Sequence, residues 1–258
     1  MTDLLFTKFN HWVLFYLIIL ASWVLLFIWG GANIEIKGSY SLLEREFWAS
    51  ICRPSANFSD LPKSFLMWSI MSLGMMLPTI VPTLRCYDDL IAGEIGSIKG
   101  FYKLVGGFTS IWVIFSGVLA LLQLFLIKNN LLGLDGILLS PIFSGLILIF
   151  AAMYQFSSIK EACLSKCRSP MTFFLEFGSS KSSYEFQLGV RIGVYCLGCC
   201  WALMLLAFVG GTMNLFFMAI AMLLMTFEKL PDIGKIVTKP IALSLMLLSS
   251  MYFFGAIE

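Results

Sequence analysis

Histidine and charged residues are both scarce in this chain. Among its 258 residues there is one histidine, His11, and only 12% of the residues are charged. A single imidazole excludes the histidine-rich kind of site in which zinc or copper(II) is usually bound. The formal net charge is +2 and no basic run is present, so we expect no nucleic-acid partner.

The sequence also lacks the motifs of common catalytic chemistries. It contains no phosphate-binding glycine loop, no serine, histidine and aspartate set, and no paired carboxylates inside an apolar segment. Enzymatic catalysis therefore has no support from the sequence.

Apolar residues dominate instead. They make up 59% of the chain, and the mean hydropathy is +0.91. Soluble domains carry about 25% charged residues, roughly twice the fraction found here. We predict an all-α, polytopic transmembrane helix bundle embedded in a lipid bilayer, and we expect other membrane protein subunits as partners. Seven apolar runs are candidate spans, at residues 12–29, 65–84, 104–127, 137–156, 188–209, 212–227 and 239–257.

The basic residues predict how these spans are oriented. If the runs are counted as seven spans, twelve Lys and Arg residues fall on the side of the N-terminus and five on the other side. Basic residues accumulate in cytoplasmic loops, so we expect a cytoplasmic N-terminus. The first run is not followed by a small-residue cleavage site, so we interpret it as a retained helix rather than a signal peptide.

Three of the seven cysteines lie close together in the fifth predicted span. On a helix, Cys200 lies about 40° from Cys196, and Cys199 about 60° to its other side. The three sulfurs should therefore share one face, which Met204 continues one turn later. Thiols and a thioether are soft ligands that suit copper(I) or zinc. The alternative is that these cysteines are small residues packed in a helix.

A second cysteine pair, Cys163 and Cys167, follows the fourth predicted span. The spacing of four residues places both thiols on one face of a helical continuation. We expect the nearby cations of Lys160, Lys166 and Arg168 to favour the thiolate forms. With the predicted orientation both cysteine clusters lie towards the cytoplasm, and we predict that they meet. The alternative is that these two thiols lie at the end of a helix and bind no metal.

Methionines in the second predicted span add candidate ligands of weaker affinity. Met75 and Met76 lie within a run that also contains Pro78 and Pro82. Methionine-rich faces are more often adaptable packing than metal sites, and both interpretations stay open here.

Other residues are expected to have structural roles. Close helix approach is predicted at Gly106, Gly107 and Gly117, and at the pair Gly189 and Gly193. We interpret Glu228-Lys229 as an interfacial charge pair, His11 as an interfacial residue and Cys52 as a bystander. A short surface helix is predicted at Ser41–Ile51, and residues 85–99 are interpreted as a charged loop.

Three motifs occur in a fixed order along the chain, and a resemblance rests on them. They are Trp68-x2-Met71-x3-Met75-Met76-x-Pro78, Cys163-Leu164-x2-Cys167-Arg168-x-Pro170 and Cys196-x-Gly198-Cys199-Cys200-Trp201-Ala202-Leu203-Met204. Together they resemble an uncharacterised family of bacterial integral membrane proteins described as predicted metal-binding. The resemblance extends from about Phe65 to Leu230. It implies a multi-pass protein of the bacterial inner (plasma) membrane. In that family a histidine often stands where Lys166 and Ile192 stand here, so a site in this chain would rest on sulfur.

The sequence therefore supports two main hypotheses. The first is an integral membrane protein that binds a soft metal, copper(I) before zinc, for copper handling or delivery to a copper membrane enzyme. Its ligands would be Cys163, Cys167, Cys196, Cys199 and Cys200, with Met75, Met76 and Met204 as weaker candidates. The second is an accessory subunit of a larger membrane complex, in which the cysteines only pack. A thiol redox protein ranks last, because a disulfide between adjacent cysteines is strained. We divide the chain into residues 1–64 and a membrane domain at 65–258.

Overall fold

The fold is built from α-helices, as predicted. The computed structural model describes residues 2–31, 57–93, 96–133, 136–171, 174, 184–212, 214–231 and 233–255. In chain order the helices are α1 (Thr2–Gly31), α2 (Leu61–Ala92), α3 (Ile98–Lys128), α4 (Pro141–Gln155), α5 (Ser158–Arg168), α6 (Tyr184–Met204), α7 (Ala207–Gly210), α8 (Leu215–Glu228) and α9 (Gly234–Phe253). A 3₁₀ turn at Phe58–Asp60 precedes α2. Within these described ranges there is no β-strand, only one isolated bridge between Leu132 and Leu138.

Several helices are long and apolar enough to cross a membrane. Five meet that condition within the described ranges, and a sixth span results if α4 and α5, bent by 60° at their junction, are counted together. Helix α8 is apolar but only 14 residues long. The predicted number of seven spans and the predicted orientation therefore stay predictions. The predicted surface helix at Ser41–Ile51 and the bystander Cys52 lie outside the described residues.

The second helix is longer than its apolar run. The charged loop predicted from Arg85 onwards is wrong over residues 85–92, because α2 continues to Ala92 and ends before Gly93. The polar residues of this last stretch still form helix, since a helix need not end where its apolar run ends. One of them, Asp88, lies within 3.3 Å of the buried His11 of α1. His11 is therefore packed inside the protein against α2, and its position at a membrane interface stays a prediction.

Helix α6 lies at the centre of the packing, against α3, α5 and α8. Its close approach to α3 depends on glycines of both helices. A Cβ added at Gly107 would collide with the carbonyl oxygen of Phe186, and one added at Gly189 would collide with that of Leu104. Gly193 is similarly enclosed by Ile111. Gly106, in contrast, faces open space, so the prediction that it supports close approach is wrong.

Neighbouring glycines of α3 provide a matched test of this packing. We expect Gly107→Ala to lower the free energy of unfolding by roughly 1–3 kcal/mol, because the added methyl group forces two backbones apart. Gly106→Ala should be neutral or slightly stabilising, because alanine favours the helix and meets no atom within 4 Å. Unfolding of both variants in detergent measures the difference. Equal effects of the two substitutions would contradict the observed interface.

Candidate metal centre

The three cysteines of α6 form one buried group. Cys196, Cys199 and Cys200 are each only 1% exposed. The Cys199 and Cys200 sulfurs are 3.3 Å apart, and the Cys199 thiol donates to the Cys196 carbonyl oxygen at 3.1 Å. The Cys196 thiol interacts with both of the other thiols. The shared face predicted from helical spacing is therefore confirmed.

Helix α5 brings the second cysteine pair to the same place. Ser157 caps the start of α5, and the 60° bend after α4 turns the helix across α6. The Cys163 sulfur lies against Gly198, where an added Cβ would come within 2.7 Å of it. Cys167 is close enough to Cys199 for the two thiols to interact electrostatically. The two predicted clusters therefore meet, and Gly198 provides the room for the contact.

These sulfurs are close together without being arranged as a finished metal site. Among the described residues, no three Cys, His, Asp or Glu side chains are placed to hold a metal ion. Sulfurs bound to zinc at about 2.3 Å in a tetrahedron are about 3.8 Å from one another. The Cys199 and Cys200 sulfurs are closer than that, so metal binding requires a small rotation of these side chains.

The candidate methionine ligands are buried near this group. Met204 follows Cys200 by one turn of α6, and Met75 and Met76 precede Thr79 by one turn of α2. The Thr79 hydroxyl is 3.9 Å from the Cys196 sulfur. The three methionines are therefore buried within one helical turn of residues at the thiols, and their role as ligands stays a prediction.

The contact between a lysine and the thiol group was not expected from the sequence. Lys229 is only 4% exposed, and its ammonium donates to the Cys196 sulfur at 2.8 Å and to the Thr79 hydroxyl at 2.7 Å. The predicted pairing of Glu228 with Lys229 is wrong, because Glu228 is bound to Lys160 instead. Lys229 directly follows the short helix α8, whose end is packed inside the protein. The only sequence signal was the shortness of the apolar run before it.

Glu228 is also buried, with its own set of partners. Its carboxylate accepts from the Lys160 ammonium at 2.8 and 3.0 Å, and its carbonyl oxygen accepts from Arg168 Nε at 2.9 Å. Lys160 also donates to Gln155, and Arg168 to Glu161. Two of the cations expected to favour thiolates on α5 are thus bound to acidic residues instead.

The lone cysteine Cys86 lies elsewhere, with its thiol 3.8 Å from the Met171 sulfur. It is a thiol outside the group formed by Cys163, Cys167, Cys196, Cys199 and Cys200, which we call the thiol cluster. Cys86 is therefore a natural control position for experiments on that cluster.

A protein-family model matches most of the chain. The sequence model of the PpoB2 family, described as copper chaperone, matches residues 65–252. No curated protein and no solved structure matches the chain. The matched region contains α2 to almost the end of α9, and with them the whole thiol cluster and the three candidate methionines.

Proposed function

We propose, because the chain belongs to the PpoB2 copper chaperone family, that it is an integral membrane protein whose thiol cluster carries copper(I). Family membership indicates copper handling in general. The oxidation state, the ligands and the membrane location are our proposals. Copper is the cargo in this account, held for transfer to another protein.

The meeting of two cysteine groups from separate helices is the observation that carries this proposal. The Cys163 sulfur of α5 lies over Gly198, between the α6 cysteines, and Cys167 is near enough to Cys199 to interact with it electrostatically. Thiolate sulfur selects copper(I) over harder ions. A packing role would need only small apolar residues at these positions, whereas five sulfurs at one helix crossing provide a set of soft ligands.

The exposure of the thiols suggests how copper reaches the cluster. Cys163 and Cys167 are half-buried, whereas the α6 cysteines are almost inaccessible. Cys167 also lines a small recess of about 10 Å³ together with Thr83, Lys166, Pro170, Ile192 and Tyr195. Such a volume holds about one water molecule, which is also room for a single ion. We propose that copper arrives at Cys167 and passes to the α6 thiols by ligand exchange.

Transfer to an acceptor completes the proposed role. A carrier must release its metal, and a half-buried thiol gives an incoming ligand a point of attack that a buried thiol does not. We propose that the acceptor is a copper enzyme of the same membrane. The apolar helices support a donor that resides in a bilayer, where a membrane-bound acceptor could meet it.

Replacing Cys167 tests this route. We expect Cys167→Ser to slow copper(I) transfer to a water-soluble chelator by roughly tenfold to a hundredfold, the range in which groups supporting a metal site act. The bound copper at equilibrium should stay near the wild-type value, because the α6 thiols remain. Stopped-flow absorbance of the copper–chelator complex measures the rate, with purified, copper-loaded protein in detergent.

The control for this experiment is Cys86→Ser, which removes a thiol outside the cluster and should transfer copper at the wild-type rate. Equal rates for Cys167→Ser and the wild type would refute the proposed route. A wild type that carries no copper would refute the proposed function, and the chain would then be better explained as an accessory subunit with packed cysteines.

A further inference from the structure

The buried position of Lys229 is not explained by copper binding to sulfur alone. Its ammonium is buried between Thr79 of α2 and Cys196 of α6. It also lies close enough to Cys200, Cys199 and Cys167 to interact with their sulfurs electrostatically. A buried ammonium is costly unless it is paired with an opposite charge.

No carboxylate provides that pairing within the part of the chain that the structure describes. The ion pairs found there leave Lys229 without an acidic partner within 4 Å, and its neighbour Glu228 is bound to Lys160. The groups in contact with the Lys229 ammonium are the Thr79 hydroxyl and the Cys196 sulfur, while the Glu228 carboxylate, bound to Lys160, interacts with it only at longer range. The positive charge is therefore aimed at the thiol cluster itself.

The charge of a metal–thiolate complex depends on the metal. For any given number of thiolate ligands, a complex of a monovalent ion is one unit more negative than a complex of a divalent ion. Inside a protein, an unbalanced charge costs far more free energy than it does in water. A fixed positive charge next to the cluster therefore favours the complex that carries the extra negative charge.

We propose that Lys229 sets the ion preference of the thiol cluster, favouring soft monovalent ions over soft divalent ions by balancing the charge of the complex. This inference rests on the proposed function, since it assumes that the cluster binds metal. A thiolate bound to metal still accepts hydrogen bonds, so Lys229 need not leave Cys196 when metal binds. Its hydrogen bond to Thr79 holds the ammonium in place.

The test compares one monovalent and one divalent soft ion on the same protein. Silver(I) and cadmium(II) affinities are measured by competition titration on purified protein, for the wild type, Lys229→Leu, Lys229→Gln and Lys229→Arg. We expect leucine and glutamine, which add no sulfur ligand, to lower the silver(I) affinity by about tenfold or more relative to the cadmium(II) affinity, as the loss of one nearby charge implies. Arginine keeps the charge and should retain the wild-type preference.

Relative affinity separates this role from a structural one. Damage to the site would weaken both ions by a similar factor, and that result would overturn the inference, as would unchanged affinities for both ions. Two uncharged variants are used, so that the comparison of silver(I) with cadmium(II) can still be made if one variant does not fold. Lys63→Met, at an exposed lysine that pairs with Asp60, is the control for general loss of charge. A wild type that binds neither ion would refute the proposed function itself.

Discussion

Replacing Cys199 and Cys200 together by serine is expected to reduce bound copper from about one equivalent per chain to less than about a tenth. Serine has nearly the same volume as cysteine, so the helix crossing should persist, but a hydroxyl is a hard and poor ligand for copper(I). These two thiols are buried and 3.3 Å apart, and Cys199 also joins α6 to Cys167. Elemental analysis of protein purified from copper-supplied cells measures the loss.

Packing alone predicts a different outcome for the same variant. Two serines buried in α6 would donate their hydroxyls to carbonyl oxygens of the preceding turn, at a small cost in stability. Metal content would then be the same in the wild type and the double variant. Cys86→Ser is the matched control, because it removes a thiol outside the cluster and should leave the copper content unchanged. If the double variant keeps its copper, Cys199 and Cys200 are not copper ligands.

Replacing Glu228 by leucine is expected to lower the free energy of unfolding by roughly 3–5 kcal/mol, the usual cost of leaving one member of a buried ion pair alone. Lys160 would lose its only carboxylate partner among the described residues while staying 1% exposed. Leucine preserves most of the volume, so the loss comes from the uncompensated charge. Denaturant titration in mixed micelles, followed by tryptophan fluorescence, measures it.

A second substitution tests whether the uncompensated charge of Lys160 causes this loss of stability. Replacing Lys160 by methionine in the Glu228→Leu background should recover most of the stability, since two apolar residues then face each other. Asp60→Ala, which removes an exposed ion pair with Lys63, should change the free energy of unfolding by no more than about 1 kcal/mol. No recovery in the Lys160→Met/Glu228→Leu double variant would mean that Glu228 stabilises the fold through other contacts.

Local sequence patterns predicted much of the fold and part of the site. Apolar runs indicated the helices, because a membrane or a core requires such runs. The angle between successive helical residues predicted the shared face of Cys196, Cys199 and Cys200. The order of the predicted spans placed Cys163 and Cys167 at the same end of the membrane domain as that face, and the structure brings both groups together at Gly198.

The burial of individual polar residues could not be predicted in the same way. Glu228 and Lys229 end an apolar run, which usually indicates an interface, but the 14-residue helix α8 ends inside the protein. Their partners, Lys160, Thr79 and Cys196, are distant in the sequence and become neighbours only through helix packing. The burial of His11 was not foreseen for the same reason, since its neighbour Asp88 belongs to a stretch that looked like a loop.

X-ray absorption at the copper edge tests the central claim most directly. The sample is the full-length wild-type protein, purified in detergent from cells grown with added copper. We expect copper in the +1 state with sulfur as its nearest neighbours, because the residues that converge around α5 and α6 are thiols and the chain has a single histidine, His11, which pairs with Asp88. Copper in the +2 state with nitrogen or oxygen neighbours, or protein without copper, would contradict the claim that this thiol cluster carries copper(I).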